Sequence, residues 1–196
     1  MSEEVNYKKN FCQKYFDKGT WDLDVLNEVD VLLKDKKGNI LLYIEAKYQI
    51  HNEAEHRRAL AQTILTNKKQ QSILSHIALI YQDHLFNDIL DFIDCSDNAV
   101  MFNNDFNWKA EKPSNPTKDA IDRINDRIDG RITQYRNEEI REFYEALKHG
   151  QNTAIDITES NFNVVYNSWR QEVLFREEIG DEQDFINLFL VDILNG

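Results

Sequence analysis

Residues 27–47 read NEVDVLLKDKKGNILLYIEAK, and this stretch decides the fold that we expect. Apolar and other residues alternate over 29–33, which is the two-residue period of a β-strand. The polar segment 35–39 contains a glycine that can adopt the positive φ of a tight turn. The apolar run 40–44 then predicts a second strand that is buried on both faces.

Charged residues continue this second strand, where isolated charges are expensive to bury. Glu45 and Lys47 are two residues apart and therefore project from the same face. If the strands pair as a hairpin, Asp30 comes close to Glu45, and the two carboxylates repel each other. A divalent cation would relieve that repulsion, so the pattern predicts a metal site; a solvated Glu45–Lys47 pair on an edge strand is the alternative. From the repulsion we also expect Asp30→Ala to stabilise the metal-free protein.

Asp30, followed by the E-A-K of residues 45–47, resembles the signature of the PD-(D/E)xK nuclease superfamily over about the first hundred residues. Val29 stands where the name-giving proline would be. The resemblance implies an α/β, restriction-endonuclease-like sandwich with a central mixed β-sheet. It also implies that Asp30 and Glu45 bind Mg²⁺, for which Mn²⁺ can substitute. The backbone carbonyl of Ala46 is expected to assist, and Lys47 to orient or deprotonate the attacking water.

Positions on two predicted helices extend this resemblance. Many members of the superfamily complete the metal shell with a glutamate from the first helix, and Glu4 fits that place. Many also carry a glutamine on the helix after E-x-K, and Gln62 fits as a further catalytic residue, with ordinary helix surface as the alternative. The same helix carries basic residues that are candidate DNA-phosphate contacts or solvated helix charge: Arg57, Arg58, Lys68 and Lys69.

Composition limits the class of protein. The net charge of −12 is unusual for a protein that binds DNA, because DNA affinity rests largely on lysine and arginine at the phosphates. We therefore expect most DNA affinity to come from other domains. The sequence has no signal-peptide core and no apolar run of membrane-spanning length, and its two cysteines are isolated. These features predict a cytoplasmic protein with no membrane partner.

The predicted element order is helix, three strands, helix, strand, helix, strand, which resembles the sandwich of this nuclease superfamily. The segments are a helix at 3–16, strands at 21–26, 29–33 and 40–47, a helix at 53–71, a strand ending at 81, a helix at 84–94 and a strand at 99–102. Residues 109–117 contain both prolines and predict a linker. We expect a nuclease domain over 1–110 and a mostly α-helical connector region over 111–196.

The connector region carries three further patterns. Arginines 123, 127 and 131 recur every four residues and therefore share a helix face. They are expected either to form salt bridges with the interleaved aspartates or to form a ridge that contacts phosphates. A short extended segment is expected at 154–157. The aromatic stripe of residues 161–170 is similar to the connector between nuclease and adenine methyltransferase in fused restriction–modification enzymes, and the apolar segment 185–194 suggests a chain truncated from a longer protein.

The sequence therefore predicts a Mg²⁺-dependent DNA endonuclease domain of a restriction–modification protein. Its expected partners are DNA and, in the full-length protein or complex, methyltransferase and target-recognition domains. A repair or recombination nuclease of the same fold is one alternative. A non-catalytic interaction module on a nuclease-like scaffold is the other, and Mg²⁺-dependent nicking of plasmid DNA distinguishes it from an enzyme.

Overall fold

The structure is a computed structural model that describes residues 3–24, 29–70, 74–96 and 101–152, with side chains as far as Lys148. The statements below concern these residues. They belong almost entirely to one compact unit, Met1–Gly150, and the second unit, Gln151–Gly196, lies outside them apart from its first helical residues.

The secondary structure alternates between helices and strands. The first half contains α1 (Glu3–Tyr15), β1 (Trp21–Leu23), β2 (Val31–Lys34), β3 (Ile40–Gln49) and α2 (Glu53–Lys69). The second half contains β4 (His76–Gln82), β5 (Asp88–Asp94), a 3-10 helix (Trp108–Ala110), α3 (Lys118–Ile128), β6 (Ile132–Arg136) and α4 (Glu138–Asn152).

The six strands form one mixed sheet in the order β1-β2-β3-β4-β5-β6. β3 and β4 are parallel, and every other neighbouring pair is antiparallel. A parallel pair needs a crossover connection, and α2 supplies it. The Asn52 side chain caps α2 by accepting a hydrogen bond from the backbone N–H of Glu55 at 3.0 Å. The predicted α/β class with a central mixed sheet is confirmed.

Helices cover both faces of the sheet, which is why its central strands are continuously apolar. Ile77 and Leu79 of β4 join a buried cluster with α2 and α3, which includes Leu60. Ala78 and Ile80, on the opposite face, join a second cluster with α1 and α4, which includes Phe11 and Tyr144. The run 40–44 is buried in the same two-faced way, as predicted.

The helix predicted at 84–94 is wrong. Residues 83–87 form a hairpin turn and Asp88–Asp94 is β5, which pairs with β4 along its whole length. The turn is fixed by Asp83, whose Oδ1 accepts hydrogen bonds from the backbone N–H groups of Leu85 (2.8 Å) and Asn87 (2.9 Å). The apolar spacing fits a helix, but strand pairing on both sides of β5 prevails, because it satisfies the backbone of a buried segment.

Residues 111–150 belong to the same compact unit as the sheet, so this unit does not end at the predicted linker and domain boundary. β6 pairs with β5 within a region predicted to be mostly helical. In the predicted linker, the Glu111 carboxylate accepts hydrogen bonds from the backbone N–H (2.9 Å) and hydroxyl (2.8 Å) of Thr117. Ile124 of α3 and Tyr144 of α4 are fully buried.

Other sequence predictions fall at the limits of the described chain. Met101 has helical backbone and Phe102 is in a turn, so the strand predicted at 99–102 is not found at those two residues, and residues 99–100 are outside the described ranges. The patterns at 154–157, 161–170 and 185–194 also lie outside them. None of the described helices is long and apolar enough to cross a membrane.

Candidate functional site

The candidate site lies where β2 and β3 meet. In their antiparallel register Val31 is opposite Ile44, so Asp30, immediately before β2, is next to Glu45. Asp30 Oδ2 accepts a hydrogen bond from the backbone N–H of Ala46 at 2.9 Å. The pairing of two strands joined by a short turn therefore fixes the position of one carboxylate relative to the other.

Glu45 and Lys47 form an ion pair on β3, with Nζ of Lys47 2.8 Å from Oε1 of Glu45. Burial raises the pKa of Glu45 to about 7; Lys47 opposes this shift, while the negative charges of Asp30 and Glu4 add to it. Burial alone would lower the pKa of Lys47, but the charge and hydrogen bond of Glu45, together with the charges of Glu4 and Asp30, raise it. Glu45 is therefore a largely buried carboxyl that holds its proton more tightly than a solvated one.

A second ammonium reaches the site from α1. Lys8 is buried, and its Nζ lies 3.2 Å from Oδ1 of Asp30. The same Nζ donates a hydrogen bond to Oδ1 of Asp24. Neither Lys8 nor Asp24 is among the residues predicted from the sequence. The available signal was a lysine within the buried stripe of α1, one helical turn before Cys12.

The other predicted ligands and catalytic residues are placed differently. Glu4 is close enough for its charge to raise the pKa of Glu45, but no group of three or more acidic, histidine or cysteine side chains in the described residues is arranged to hold a metal ion. Gln62 donates a hydrogen bond from Nε2 to the carbonyl of Ser114 at 3.2 Å, on the loop before α3. Gln62 therefore has a structural partner distant in sequence from the E-x-K motif.

Three of the four basic residues predicted to contact DNA have partners within the chain. Arg57 pairs with Asp122 at 3.1 Å, and Arg58 donates to the side-chain oxygen of Asn115 at 2.9 Å.

The Lys68 ammonium lies 3.9 Å from the centre of the Phe102 ring, and burial, with a contribution from Lys109, lowers the pKa of Lys68. Lys69 is exposed. These contacts favour the structural reading of the basic residues on α2.

The arginines of α3 are also engaged. Arg123 and Arg127 both form ion pairs with Asp105 at 3.0 Å, and α3 ends before Arg131. The Arg127 guanidinium also donates to the carbonyl of Met101 at 2.6 Å. The salt-bridge interpretation therefore describes Arg123 and Arg127 better than a free phosphate-contacting ridge does.

A second polar cluster lies on the same sheet face as Glu45. Asp91 of β5 has a side chain that is 0% exposed, and its Oδ2 lies 2.6 Å from Nε2 of His56. The amide of Gln134 donates to the other Asp91 oxygen at 2.9 Å and to the Tyr81 hydroxyl at 3.1 Å. Sequence reasoning missed this cluster, because its members are distant along the chain and carry no motif.

The donor chemistry of the candidate site fits Mg²⁺. Asp30 and Glu45 present hard carboxylate oxygens, and Mg²⁺ commonly takes one or two protein carboxylates and keeps waters in its other positions. Burial, with smaller contributions from the charges of Asp30 and Glu4, raises the pKa of Glu45, and a nearby divalent cation would favour its ionised form. Both Asp30 oxygens already have partners, namely Lys8 and the Ala46 N–H.

Comparison with known proteins gives no relative from which to assign the site. The chain matches no protein-family model, no curated protein and no solved structure.

Proposed function

We propose that this chain is the Mg²⁺-dependent DNA endonuclease domain of a restriction–modification protein, of the PD-(D/E)xK type. The observation that carries the proposal is the meeting of two carboxylates and a lysine at one strand junction. Asp30 is next to Glu45 in the β2–β3 register, and Lys47 is 2.8 Å from Glu45. An α/β sheet with helices on both faces is consistent with this assignment.

Asp30 and Glu45 would hold the cation. When bound, Mg²⁺ would lower the pKa of its water and offset charge on the scissile phosphate. The Ala46 N–H fixes Asp30 Oδ2, which limits the rotation of that side chain and so orients its other oxygen. Holding the reacting groups in one geometry supplies much of the rate acceleration of such enzymes.

Lys47 would orient the attacking water or a phosphate oxygen rather than remove a proton. Burial would lower the pKa of Lys47, but the neighbouring carboxylates, Glu45 first, together raise it, so the ammonium form dominates at neutral pH. An ammonium donates hydrogen bonds and has no lone pair with which to accept a proton. Of the two roles expected for this lysine, the pKa favours positioning and charge stabilisation.

A plasmid assay tests the proposal. Supercoiled plasmid is incubated with the purified chain in Mg²⁺, in Mn²⁺ and in chelator, and nicked product is measured. We expect metal-dependent nicking that Asp30→Asn and Lys47→Met each reduce at least a hundredfold. Lys37→Met, on the exposed β2–β3 turn, serves as a matched lysine control and should retain activity. Nicking that persists in chelator, or that survives both site variants, contradicts the proposal.

A non-catalytic interaction module remains the second candidate, because one observation favours it. Each of the two carboxylates already has its own ammonium partner: Asp30 has Lys8, and Glu45 has Lys47. Such pairs would also stabilise a scaffold without catalytic activity. Absence of nicking by a folded wild-type chain in both metals, at all DNA concentrations, supports this second function.

A further inference from the structure

Lys8 lies outside the acidic and E-x-K residues of the site, yet it contacts a proposed metal ligand. Its side chain is only 5% exposed, although lysine is among the residues least often buried. Its Nζ lies 3.2 Å from Oδ1 of Asp30 and also bonds Oδ1 of Asp24. The Asp24 side chain is 63% exposed and that of Asp30 is 18% exposed. One ammonium is therefore shared between an exposed carboxylate and a largely buried one.

Both oxygens of Asp30 already accept hydrogen bonds in the metal-free protein. Oδ2 accepts the Ala46 N–H, and Oδ1 accepts the Lys8 ammonium. Mg²⁺ binds oxygen at about 2.0–2.1 Å, and a dication on Oδ1 would repel an ammonium held on the same atom. The hydrogen bond from Ala46 is part of the sheet junction, so the Lys8 contact is the one that can change.

Asp24 provides a second position for the ammonium. The backbone N–H of Asp24 donates to the carbonyl of Asp30 at 2.9 Å, which fixes the two aspartates close together. Because the same Nζ contacts both carboxylates, Lys8 can leave Asp30 and still keep Asp24 as a partner.

We propose that Lys8 is a built-in counter-ion of Asp30, which competes with the divalent cation and moves onto Asp24 when the cation binds. This inference rests on the proposed function, because it takes Asp30 and Glu45 as the metal site. It adds a residue that sets metal affinity. It also explains how the metal-free protein tolerates carboxylates at the β2–β3 junction.

Mn²⁺ binding tests the exchange without requiring catalysis. Free Mn²⁺ is measured by electron paramagnetic resonance during titration of the full chain. Lys8→Met keeps the apolar stem and removes the ammonium, and we expect about tenfold tighter binding, the order of one lost charge-assisted hydrogen bond. Lys9→Met removes an exposed lysine from the same helix and should leave the affinity within about twofold.

A double-mutant cycle separates exchange from a general charge effect. Asp24→Asn removes the negative charge that holds the ammonium in its second position, so in the wild-type background Mn²⁺ should bind about three- to tenfold more weakly. In the Lys8→Met background the same substitution should have little effect, because no ammonium remains to be shared. An equal loss in both backgrounds means that Asp24 acts only through its charge, and this overturns the inference.

The remaining outcomes distinguish the inference from the proposed function. If wild type binds Mn²⁺ through Asp30 and Glu45 but Lys8→Met binds equally or more weakly, the exchange is wrong and the metal site stands. If neither wild type nor any variant binds Mn²⁺, or if binding survives the double substitution Asp30→Ala with Glu45→Ala, the exchange and the proposed metal site are both wrong. Thermal melts in chelator verify folding. If Lys8→Met does not fold, Lys8→Gln replaces it in the cycle, and unchanged binding in Asp24→Asn overturns the exchange.

Discussion

Oδ2 of Asp30 accepts a hydrogen bond from the backbone N–H of Ala46, 2.9 Å away, one residue past Glu45 on β3. This contact joins the segment before β2 to the middle of β3. The carboxylate that we propose as a metal ligand therefore also satisfies a backbone donor at the sheet junction. Removing the Asp30 side chain therefore leaves a backbone donor without its acceptor, which opposes any gain from relieving the repulsion between carboxylates.

Asp30→Ala should destabilise the metal-free protein by about 1–3 kcal/mol, because it leaves the Ala46 N–H and the Lys8 ammonium without this acceptor. This reverses the stabilisation expected from carboxylate repulsion alone. Urea unfolding in chelator measures the change. Asp30→Asn keeps a side-chain oxygen for Ala46 and should lose less. Equal or greater stability of Asp30→Ala would support the repulsion argument.

The stability of the metal-free protein should fall as pH rises from about 4.5 to about 7 because of Glu45. Its folded pKa is raised to about 7, chiefly by burial, so the folded state binds the proton more tightly than the unfolded state does. The stabilising contribution is complete below the unfolded pKa and is lost as pH rises through the folded pKa. Glu45→Gln should remove about 2 kcal/mol of this dependence.

Urea unfolding in chelator at pH 5 and pH 8 checks the Glu45 prediction. The quantity compared is the free energy of unfolding of wild type minus that of Glu45→Gln at each pH. Glu142→Gln, an exposed glutamate on α4, is the control and should leave the pH dependence unchanged. If Glu45→Gln leaves the pH dependence of the free energy of unfolding unchanged, burial does not raise the pKa of Glu45.

Asp91→Ala should destabilise the protein by about 2–4 kcal/mol. The fully buried carboxylate is 2.6 Å from His56 and accepts a hydrogen bond from Gln134. Its removal therefore leaves these two polar side chains without this partner on a covered face of the sheet. Asp94→Ala, on the same strand but 46% exposed, is the matched control and should cost less than about 1 kcal/mol. Chemical denaturation at pH 7 compares them, and similar losses would contradict a special role for Asp91.

A chain truncated after residue 110 should not fold, whereas one truncated after Gly150 should. The shorter chain lacks β6, so the edge of β5 is exposed. It also lacks α3 and α4, which bury Ile124 and Tyr144 against the two faces of the sheet. The second retains the whole compact unit. Circular dichroism melts and dispersion of amide NMR signals test both. A cooperative melt of the shorter chain would restore the predicted boundary near residue 110.

The isolated chain should bind duplex DNA weakly and with little sequence preference. Its net charge is −12, and Arg57, Arg58 and Lys68 are engaged within the chain. Any binding should weaken as salt increases, because it depends on phosphate contacts. Titration of random and defined duplexes at two salt concentrations measures it. Tight, sequence-selective binding would place target recognition within this chain.

The sequence determined the features of this protein that depend on neighbouring residues. A two-residue period, a polar turn and an apolar run predict β2 and β3, and their pairing puts Asp30 next to Glu45. The same periodicity puts Lys47 on the face of Glu45, and Asn52 predicts the start of α2. These inferences need only the period of a strand and the geometry of a turn or a helix cap.

Tertiary structure alone decided which distant side chains complete these sites. Lys8 reaches Asp30 from another element, and His56 reaches Asp91 from another, so no spacing along the chain encodes either contact. The segment 84–94 carries a helix-like apolar pattern, yet hydrogen bonding to β4 and β6 makes it a strand. The physical reason is the same in each case: long-range pairing satisfies buried polar groups that local propensity does not take into account.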